Sequence, residues 1–327
     1  GLGRINVVRE HPTNSNIIYI GAASGGFWYS TNGGGTWQTT TDDIGSLGIT
    51  DICIHPTNNN IIFIATGDGD AGDTKSIGVL KSTNGGLTWG QTGLNWQQSN
   101  QYTISRMLIH PSNPNTMYVG GSFGVMKTTD GGNSWTTVFS SISIKDMEFK
   151  PDNPSVIYAA GSAVYRTTND GASWSLLSNG IPTSTRRIAL GVTPANANYI
   201  YALAGNFSNG FMGLYRSTDG GDSWTTQSTA PNLLGWEYDG NDTGGQAWYD
   251  LCIAVDQTNP NTVYTGGVNI WKSTNAGVNW NCVAHWWGDR TNEVHADHHD
   301  LWFAPGTNRL YNGNDGGVYR STNSGGT

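Results

Sequence analysis

Short runs of β-branched and aromatic residues alternate with polar turn residues along the whole chain. Residues 50–54, 61–65, 78–81 and 88–91 are four successive examples. Runs of this length, bounded by Gly, Pro, Asn and Asp, predict β-strands that are joined by tight turns. No long stretch has apolar residues at the 3.6-residue spacing of an amphipathic helix. The pattern therefore predicts an all-β protein.

An eight-residue phrase recurs seven times and divides the strands into units. It starts with Ser or Thr, carries Asn or Asp at its third position and Gly at its fifth, and closes with Trp in six copies. Asn and Asp hold tight turns through backbone amides, and Gly supplies the positive φ that such turns need. We predict a structural hairpin tip in each unit, formed by Asn32, Trp37, Asn84, Trp89, Asp130, Trp135, Asn169, Trp174, Asp219, Trp224, Asn275, Trp280 and Asn323.

A second recurring phrase, rich in Pro and Asn, joins the first two strands of each unit, as at His55-Pro-Thr-Asn58. Each unit then holds four antiparallel strands, and units of 40 to 50 residues are typical of propeller blades. We predict one seven-bladed β-propeller domain over residues 1–327, whose last blade is truncated after its octapeptide. The approximate blades are 4–41, 48–93, 102–139, 143–178, 186–228, 249–283 and 298–327.

The octapeptide resembles the Asp-box, or BNR repeat, of sialidases, sortilin-type receptors, xyloglucan-hydrolysing two-propeller enzymes and photosystem assembly factors. This resemblance spans the chain and implies the blade, whereas the activities of these families differ. The residue sequence of the repeats also resembles that of large Bacteroidota proteins that carry type IX secretion signals. It implies a secreted or cell-surface protein, and we expect the chain to be a fragment of a longer one, with further domains as partners.

Composition narrows the function classes. The formal net charge is −8 and the pI is about 5.2, so the chain lacks the basic surface that nucleic-acid phosphates demand. No apolar run is long enough to cross a bilayer. Three cysteines, Cys53, Cys252 and Cys282, are too few and too scattered to predict a disulfide framework.

Segments that differ between blades are the candidates for a functional site, because the residues that recur in every blade stabilise the array. Three insertions stand out, at 67–75, 231–250 and 283–299. Aromatic, acidic and imidazole groups there suit a polar ligand such as a sugar, although long loops also use such residues to pack. The predicted ligand-binding residues are Trp236, Trp248, Tyr249, His285, Trp286, Trp287, Arg290 and Asp315.

The segment 295–300 is the sharpest local cluster. If it is extended, His295, Asp297 and His299 share one side of the strand and His298 faces the other. Such a trio could hold a transition metal, serve acid/base chemistry or form a structural network. We assign Asp250, His295, Asp297 and His299 as candidate catalytic residues. Recurrence favours a structural role for carboxylates that open first strands: Asp51, Asp146, Asp250 and Asp300.

Asp68, Asp70 and Asp73 have the composition of a calcium loop, although their spacing departs from an EF-hand. We therefore expect calcium as the one candidate cofactor, with a solvated turn as the alternative. The catalytic Asp of the xyloglucan-hydrolysing relatives would fall at Ala23, so that base is missing. Asp315, one residue out of step in the last blade, is a lesser candidate. The arginine pattern of sialidases is incomplete.

Two functions fit these residues. The first is a secreted module that binds a glycan or protein ligand through the long loops of blades 2 and 5–7. The second is a polysaccharide-active enzyme, a hydrolase or lyase, that uses the same face. A glycosidase requires two carboxyl groups flanking one bond, whereas a binding module does not.

Overall fold

The computed structural model describes residues 3–325 and is all-β. Its strands form seven sheets, and the fold is the predicted seven-bladed β-propeller. The described residues contain one short 3₁₀ helix, Gln98–Asn100, and none of their helices has the length and apolar character of a membrane span. Two compact units divide the chain, one ending at Ile144 and the other starting at Lys145.

The first unit holds three sheets of four strands, each strand hydrogen-bonded to the next one in the chain. Blade 1 is β1 Ile5–His11, β2 Asn14–Ala22, β3 Gly26–Ser30 and β4 Gln38–Thr39. Blade 2 is β5 Ile49–Ile54, β6 Ile62–Thr66, β7 Gly78–Ser82 and β8 Gly90–Asn95. Blade 3 is β9 Ile104–Ile109, β10 Met117–Gly121, β11 Gly124–Thr128 and β12 Thr136–Phe139.

The second unit holds the other four sheets. Blade 4 is β13 Asp146–Lys150, β14 Asn153–Ala160, β15 Val164–Thr167 and β16 Ser175–Leu177. Blade 5 is β17 Arg187–Val192, β18 Ile200–Gly205, β19 Phe211–Ser217 and β20 Thr225–Ser228. Blade 6 is β21 Cys252–Val255, β22 Val263–Gly266, β23 Ile270–Ser273, β24 Asn281–His285 and the added parallel strand β25 Asn292–Glu293. Blade 7 is β26 His298–Phe303, β27 Leu310–Asn314 and β28 Gly317–Ser321.

The octapeptide forms the same hydrogen-bonded turn in the first six blades. In blade 1 the Ser30 hydroxyl donates to Asn32 Oδ1 at 2.9 Å and accepts the Gly34 N–H at 2.9 Å, while Asn32 Oδ1 accepts the Thr36 N–H at 2.9 Å. Side-chain oxygens thus satisfy amides that the turn leaves outside the strand ladder. The turns that repeat all three bonds start at Ser82, Thr128, Thr167, Ser217 and Ser273. The last two positions of the seventh copy lie outside the described residues.

The closing tryptophan lies under its own tip and also packs on the preceding blade. Trp224 Nε1 donates to Gly221 O of its turn at 3.1 Å. Trp89 of blade 2 stacks edge-on against Phe27 of blade 1 with ring centroids 4.9 Å apart, and its Nε1 donates to Thr40 Oγ1. The octapeptide therefore joins successive blades as well as closing a hairpin, because a large ring is shared between two sheets.

A buried aromatic ring on the second strand of every blade supplies the rest of this packing. Tyr158 of blade 4 donates its hydroxyl to Gly220 O of blade 5 at 2.9 Å, and Tyr201 of blade 5 donates to Pro260 O of blade 6 at 2.7 Å. In these two blades the ring fills the space between two sheets while its hydroxyl reaches a turn of the next blade. The seven rings are Tyr19, Phe63, Tyr118, Tyr158, Tyr201, Tyr264 and Tyr311.

Candidate functional site

The two longest irregular segments of the second unit lie between β20 and β21 and between β24 and β26. They interrupt the regular blade pattern, as the sequence predicts. Their side chains form two groups in the structure. One is a cluster of carboxyl groups with a histidine and a tyrosine, and the other is a group of exposed tryptophans.

Asp250 does not occupy the position of the carboxylates that recur at the start of first strands. Asp51 and Asp146 pair with Ala65 and Ala160 of their second strands, and the equivalent pair in blade 6 is Cys252 with Gly266. Asp250 therefore precedes the recurring position by two residues. The predicted kinship of Asp250 with Asp51 and Asp146 is wrong in register, so Asp250 is a feature of blade 6 alone.

The recurring carboxylates are structural bridges between neighbouring blades. Asp51 Oδ2 accepts the Met107 N–H of blade 3 at 2.8 Å, and Asp146 Oδ2 accepts the Leu190 N–H of blade 5 at 2.8 Å. Cys252 takes over this contact in blade 6, where its thiol donates to His298 O at 3.4 Å. This bridge is the structural role that recurrence predicts.

Asp250 is buried without receiving a hydrogen bond. Its side chain is at the centre of the second unit's carboxyl cluster, it is 1% exposed, and neither carboxyl oxygen has a hydrogen-bond donor among the described residues. Burial raises the pKa of this carboxyl well above its usual value, and the charge of Asp297 raises it further; His299 and Arg187 oppose this only in part. The ionised form of Asp250 is therefore disfavoured at this site.

Asp297 is the half-buried partner of Asp250. Its φ is +64°, a left-handed conformation that costs energy for a residue with a Cβ, and its Oδ1 accepts the Gln246 Nε2–H at 3.0 Å. Burial raises the pKa of Asp297 and the nearby Asp315 raises it further, whereas His299 opposes this shift. An ionised Asp297 therefore disfavours the ionised form of Asp250, because like charges in a buried site repel one another.

A second polar trio stands beside this pair. His299 Nε2 lies 3.0 Å from Asp315 Oδ1, and the Tyr249 hydroxyl donates to Asp315 Oδ2 at 2.8 Å. The Tyr249 ring packs edge-on against the His299 ring at 4.8 Å, and the exposed Trp248 ring lies 5.2 Å from Tyr249. Asp315 accepts the Tyr249 hydroxyl, and its side chain is 26% exposed.

The structure separates His295 from the other members of its predicted trio. The left-handed φ of Asp297 interrupts the extended chain, so the period-two alternation does not run from His295 to His299. His295 is exposed, with Nδ1 3.2 Å from Ala296 O. Within residues 3–325 no three His, Cys, Asp or Glu side chains are placed to hold a metal ion, so the structure does not assemble the expected transition-metal set.

His298, for which the sequence predicts no role, is a fully buried neutral imidazole. Its Nδ1 donates to Asn312 Oδ1 at 2.9 Å, since the Asn312 amide nitrogen is already a donor to Asp300 O. Burial lowers the pKa of His298 to about 3. Pairing of His298 with Asn314 in the β26–β27 ladder explains the inward orientation, a register that only the strand pairing reveals.

The exposed tryptophans form the second group. The rings of Trp286 and Trp287 lie 4.6 Å apart at 37°, and Trp286 Nε1 donates to Trp236 O at 3.3 Å. Behind them His285 is buried on β24 with Nε2 3.0 Å from the same Trp236 O. His285 therefore supports the surface from inside the sheet, while Arg290 covers the Tyr238 ring at 5.4 Å. All tryptophans of the described residues with more than a third of their surface exposed lie in these inserts: Trp236, Trp248, Trp286 and Trp287.

In the first unit, an arginine side chain contacts the insertion at 67–75. Asp68 is fully buried and pairs with Arg4, and Arg4 Nη2 also lies 3.5 Å from Asp73 Oδ2. Backbone amides of Asp70 and Asp73 donate to the Asp68 carboxylate. A guanidinium thus places a positive charge beside Asp68 and Asp73.

We expect chelation to leave this loop unchanged. Dialysis against EDTA should shift the melting temperature by less than about 1 °C, whereas Arg4→Ala should destabilise the unit by about 3 kcal/mol because it leaves the buried Asp68 charge without its partner. Differential scanning calorimetry measures both. A stabilisation by millimolar calcium that EDTA reverses would restore the calcium assignment.

The position that would carry the xyloglucanase base is buried and apolar. Ala23 is 4% exposed. Two arginines at the starts of first strands, which are candidates for the incomplete sialidase pattern, make other contacts. Arg106 lies 4.0 Å from Asp51, and Arg187 Nη1 donates to Tyr249 O at 3.1 Å. An acidic site is therefore what the second unit offers in place of these two patterns.

No known protein-family profile matches the chain. Xyloglucanase Xgh74A of Acetivibrio thermocellus is 28% identical over 102 residues, which are 29% of this chain and 11% of that protein. The chain thus corresponds to a small part of that enzyme's length.

Solved structures show the same fold at low identity. An ancestral GH74 enzyme aligns over 98% of this chain and 45% of its own with a TM-score of 0.72 and 18% identity. The GH74 xyloglucanase of Xanthomonas campestris aligns over 99% and 52% with a TM-score of 0.72 and 16% identity. A YCF48 structure with a bound D1 peptide aligns over 98% and 94% with a TM-score of 0.67 and 14% identity. The chain spans about half the length of the two GH74 enzymes.

Proposed function

We propose that this chain is part of a secreted or cell-surface Asp-box propeller that binds a glycan through the tryptophans of its second unit. Exposed aromatic rings carry this proposal. The Trp286–Trp287 pair offers adjacent apolar faces, with Trp287 57% exposed. Sugar rings present flat C–H faces that such side chains cover, and the neighbouring Arg290 and Glu237 can bond hydroxyls at the edge.

The comparisons add two supports of different kinds. The relative from Acetivibrio thermocellus is named a xyloglucanase, which favours a plant-type polysaccharide as the first ligand to try. The YCF48 structure holds a D1 peptide, so a protein ligand is the second candidate. The glycan is preferred because the exposed tryptophans are concentrated in the inserts that interrupt the repeat.

Replacing Trp287 by alanine should weaken glycan binding roughly 10- to 100-fold, the loss expected for a central aromatic contact. Affinity electrophoresis in gels containing xyloglucan, galactomannan or mixed-linkage glucan measures the retardation. Leu176→Ala is the matched control, because Leu176 is 44% exposed on β16 and lies outside the inserts. Equal retardation of the Trp287→Ala variant and the wild type would remove the proposed surface, and binding of peptides in place of every glycan would favour the second candidate.

A further inference from the structure

Three carboxyl groups of the second unit differ in their hydrogen bonds and burial, and these differences give them different acid/base properties. Asp250 receives no hydrogen bond and is 1% exposed. Asp297 accepts one amide bond and is half-buried. Asp315 accepts a tyrosine hydroxyl and contacts a histidine. Pairs of acids whose surroundings hold one protonated and the other ionised are how acid/base sites are built.

A buried carboxyl group without a donor is costly, and proteins retain such groups mainly at functional sites. A backbone N–H group could have donated to the Asp250 carboxyl group, as happens at Asp51, where the Ile52 and Met107 N–H groups donate. Blade 6 instead places Asp250 two residues before that position. The left-handed backbone of Asp297 is a second local cost beside it.

We propose that Asp297, with Asp250 behind it, and Asp315 form an acid/base site that hydrolyses the glycosidic bond of an uncharged glycan lying on Trp248. The proposal rests on the glycan binding proposed above. Trp248 connects the two functions, because it is exposed and its ring lies against Tyr249, which bonds Asp315. We expect uronic acids to be poor substrates, because the base Asp315 must be ionised to accept a proton and would repel a sugar carboxylate.

The proposed step is balanced by one water molecule. Asp297 gives its proton to the glycosidic oxygen as the bond from that oxygen to the anomeric carbon breaks. Water adds to the anomeric carbon, and its proton passes to Asp315. Asp250 then returns a proton to Asp297, and the proton on Asp315 passes to solvent, from which Asp250 is reprotonated. Asp297 and Asp315 are the catalytic residues; Asp250 and His299 are positioning residues, since each acts through one of them.

The test measures binding and hydrolysis separately on the same protein. Release of reducing ends from xyloglucan, mixed-linkage glucan and galactomannan is followed, with polygalacturonate as the charged comparison. Asp297→Asn and Asp315→Asn should each lower kcat at least 100-fold, the usual contribution of a general acid or base, and affinity-gel retardation of each variant is measured alongside. Asp152→Asn is the control, because Asp152 is exposed and pairs only with Lys150 on the surface of blade 4.

Asp250 has a readout that a purely structural residue would not give. Asp250→Asn should abolish activity at neutral pH and retain it near pH 4, where Asp297 takes its proton from solvent. Retention of glycans without release of reducing ends would overturn the inference and leave the binding function intact. Failure to retain any glycan would overturn both. Full activity of either catalytic variant would overturn the assignment of residues.

Discussion

Replacing Tyr158 by alanine will lower the free energy of unfolding by about 4 kcal/mol, the cost of removing a large aromatic side chain from a packed core. The ring is fully buried in the cluster that joins blades 4 and 5, where it packs with Leu177, Ile188 and Trp224. No neighbouring side chain can fill the space, because the ring is held between two sheets. Equilibrium unfolding in guanidinium chloride measures the change.

Tyr158→Phe separates the ring from the hydroxyl. We expect a loss of about 1 kcal/mol, because the Gly220 carbonyl keeps the Arg166 Nη1 donor at 2.7 Å when the hydroxyl is removed. Tyr319→Ala is the matched control, since Tyr319 is 39% exposed, and it should change stability by less than about 1 kcal/mol. Equal losses for Tyr158→Phe and Tyr158→Ala would show that the ring contributes little packing.

Repetition made the blades predictable, because local chemistry and fold agree in every unit. In blade 2 the first three predicted strands differ from the observed ones by one residue at each misplaced end. The fourth was predicted from Thr88 but begins at Gly90. Trp89 turns inward onto Phe27 instead of joining the ladder, so packing with the preceding blade, which single-blade reasoning omits, decides that boundary.

The structure brings together some of the predicted candidate residues and separates others. The inserts bring together Asp250, Asp297 and His299, and they leave His295 on the surface. One backbone dihedral, the positive φ of Asp297, is responsible for this. Aspartate is among the residues that tolerate this conformation, yet nothing in the sequence requires it here.

The register of Asp250 could have been found from the sequence. Asp256 Oδ1 accepts the Thr258 N–H as His55 Nδ1 accepts the Thr57 N–H, so Asp256 is the blade 6 equivalent of His55. Counting back from it aligns Cys252, and not Asp250, with Asp51. The contact of His299 with Asp315, by contrast, joins two strands through a bulge in their pairing, and the sequence does not specify a bulge.

Asp250→Asn will make the protein more stable at pH 7 by roughly 1–3 kcal/mol, because burial and the Asp297 charge disfavour the ionised carboxylate of Asp250, whereas asparagine carries no charge. The variant removes a carboxyl group that burial and the Asp297 charge hold at a raised pKa. If the variant gains stability and loses the proposed activity, the carboxyl group is one that the protein keeps for function at a cost in stability. Denaturant midpoints at pH 7 test the sign.

The pH dependence of stability distinguishes Asp250 from its neighbour His298. Since the folded-state pKa of Asp250 is raised, its contribution to stability is present below the unfolded value of 3.8 and is lost as the pH rises through the folded value. His298 acts oppositely: its pKa falls from 6.5 to about 3, so the unfolded chain takes up a proton that the folded protein refuses, and stability falls as the pH falls between these values.

The two effects oppose each other between pH 4 and about pH 6.5, so single variants should tilt the profile in opposite directions. Asp250→Asn should lose stability more steeply than the wild type on acidification, and His298→Gln, which keeps a donor for Asn312, should lose it less steeply. Asp152→Asn should follow the wild-type slope, because its carboxylate is exposed. A slope and midpoint unchanged by Asp250→Asn would mean that the ionised form of Asp250 is not disfavoured in the folded protein, and its role in returning a proton to Asp297 would then be wrong.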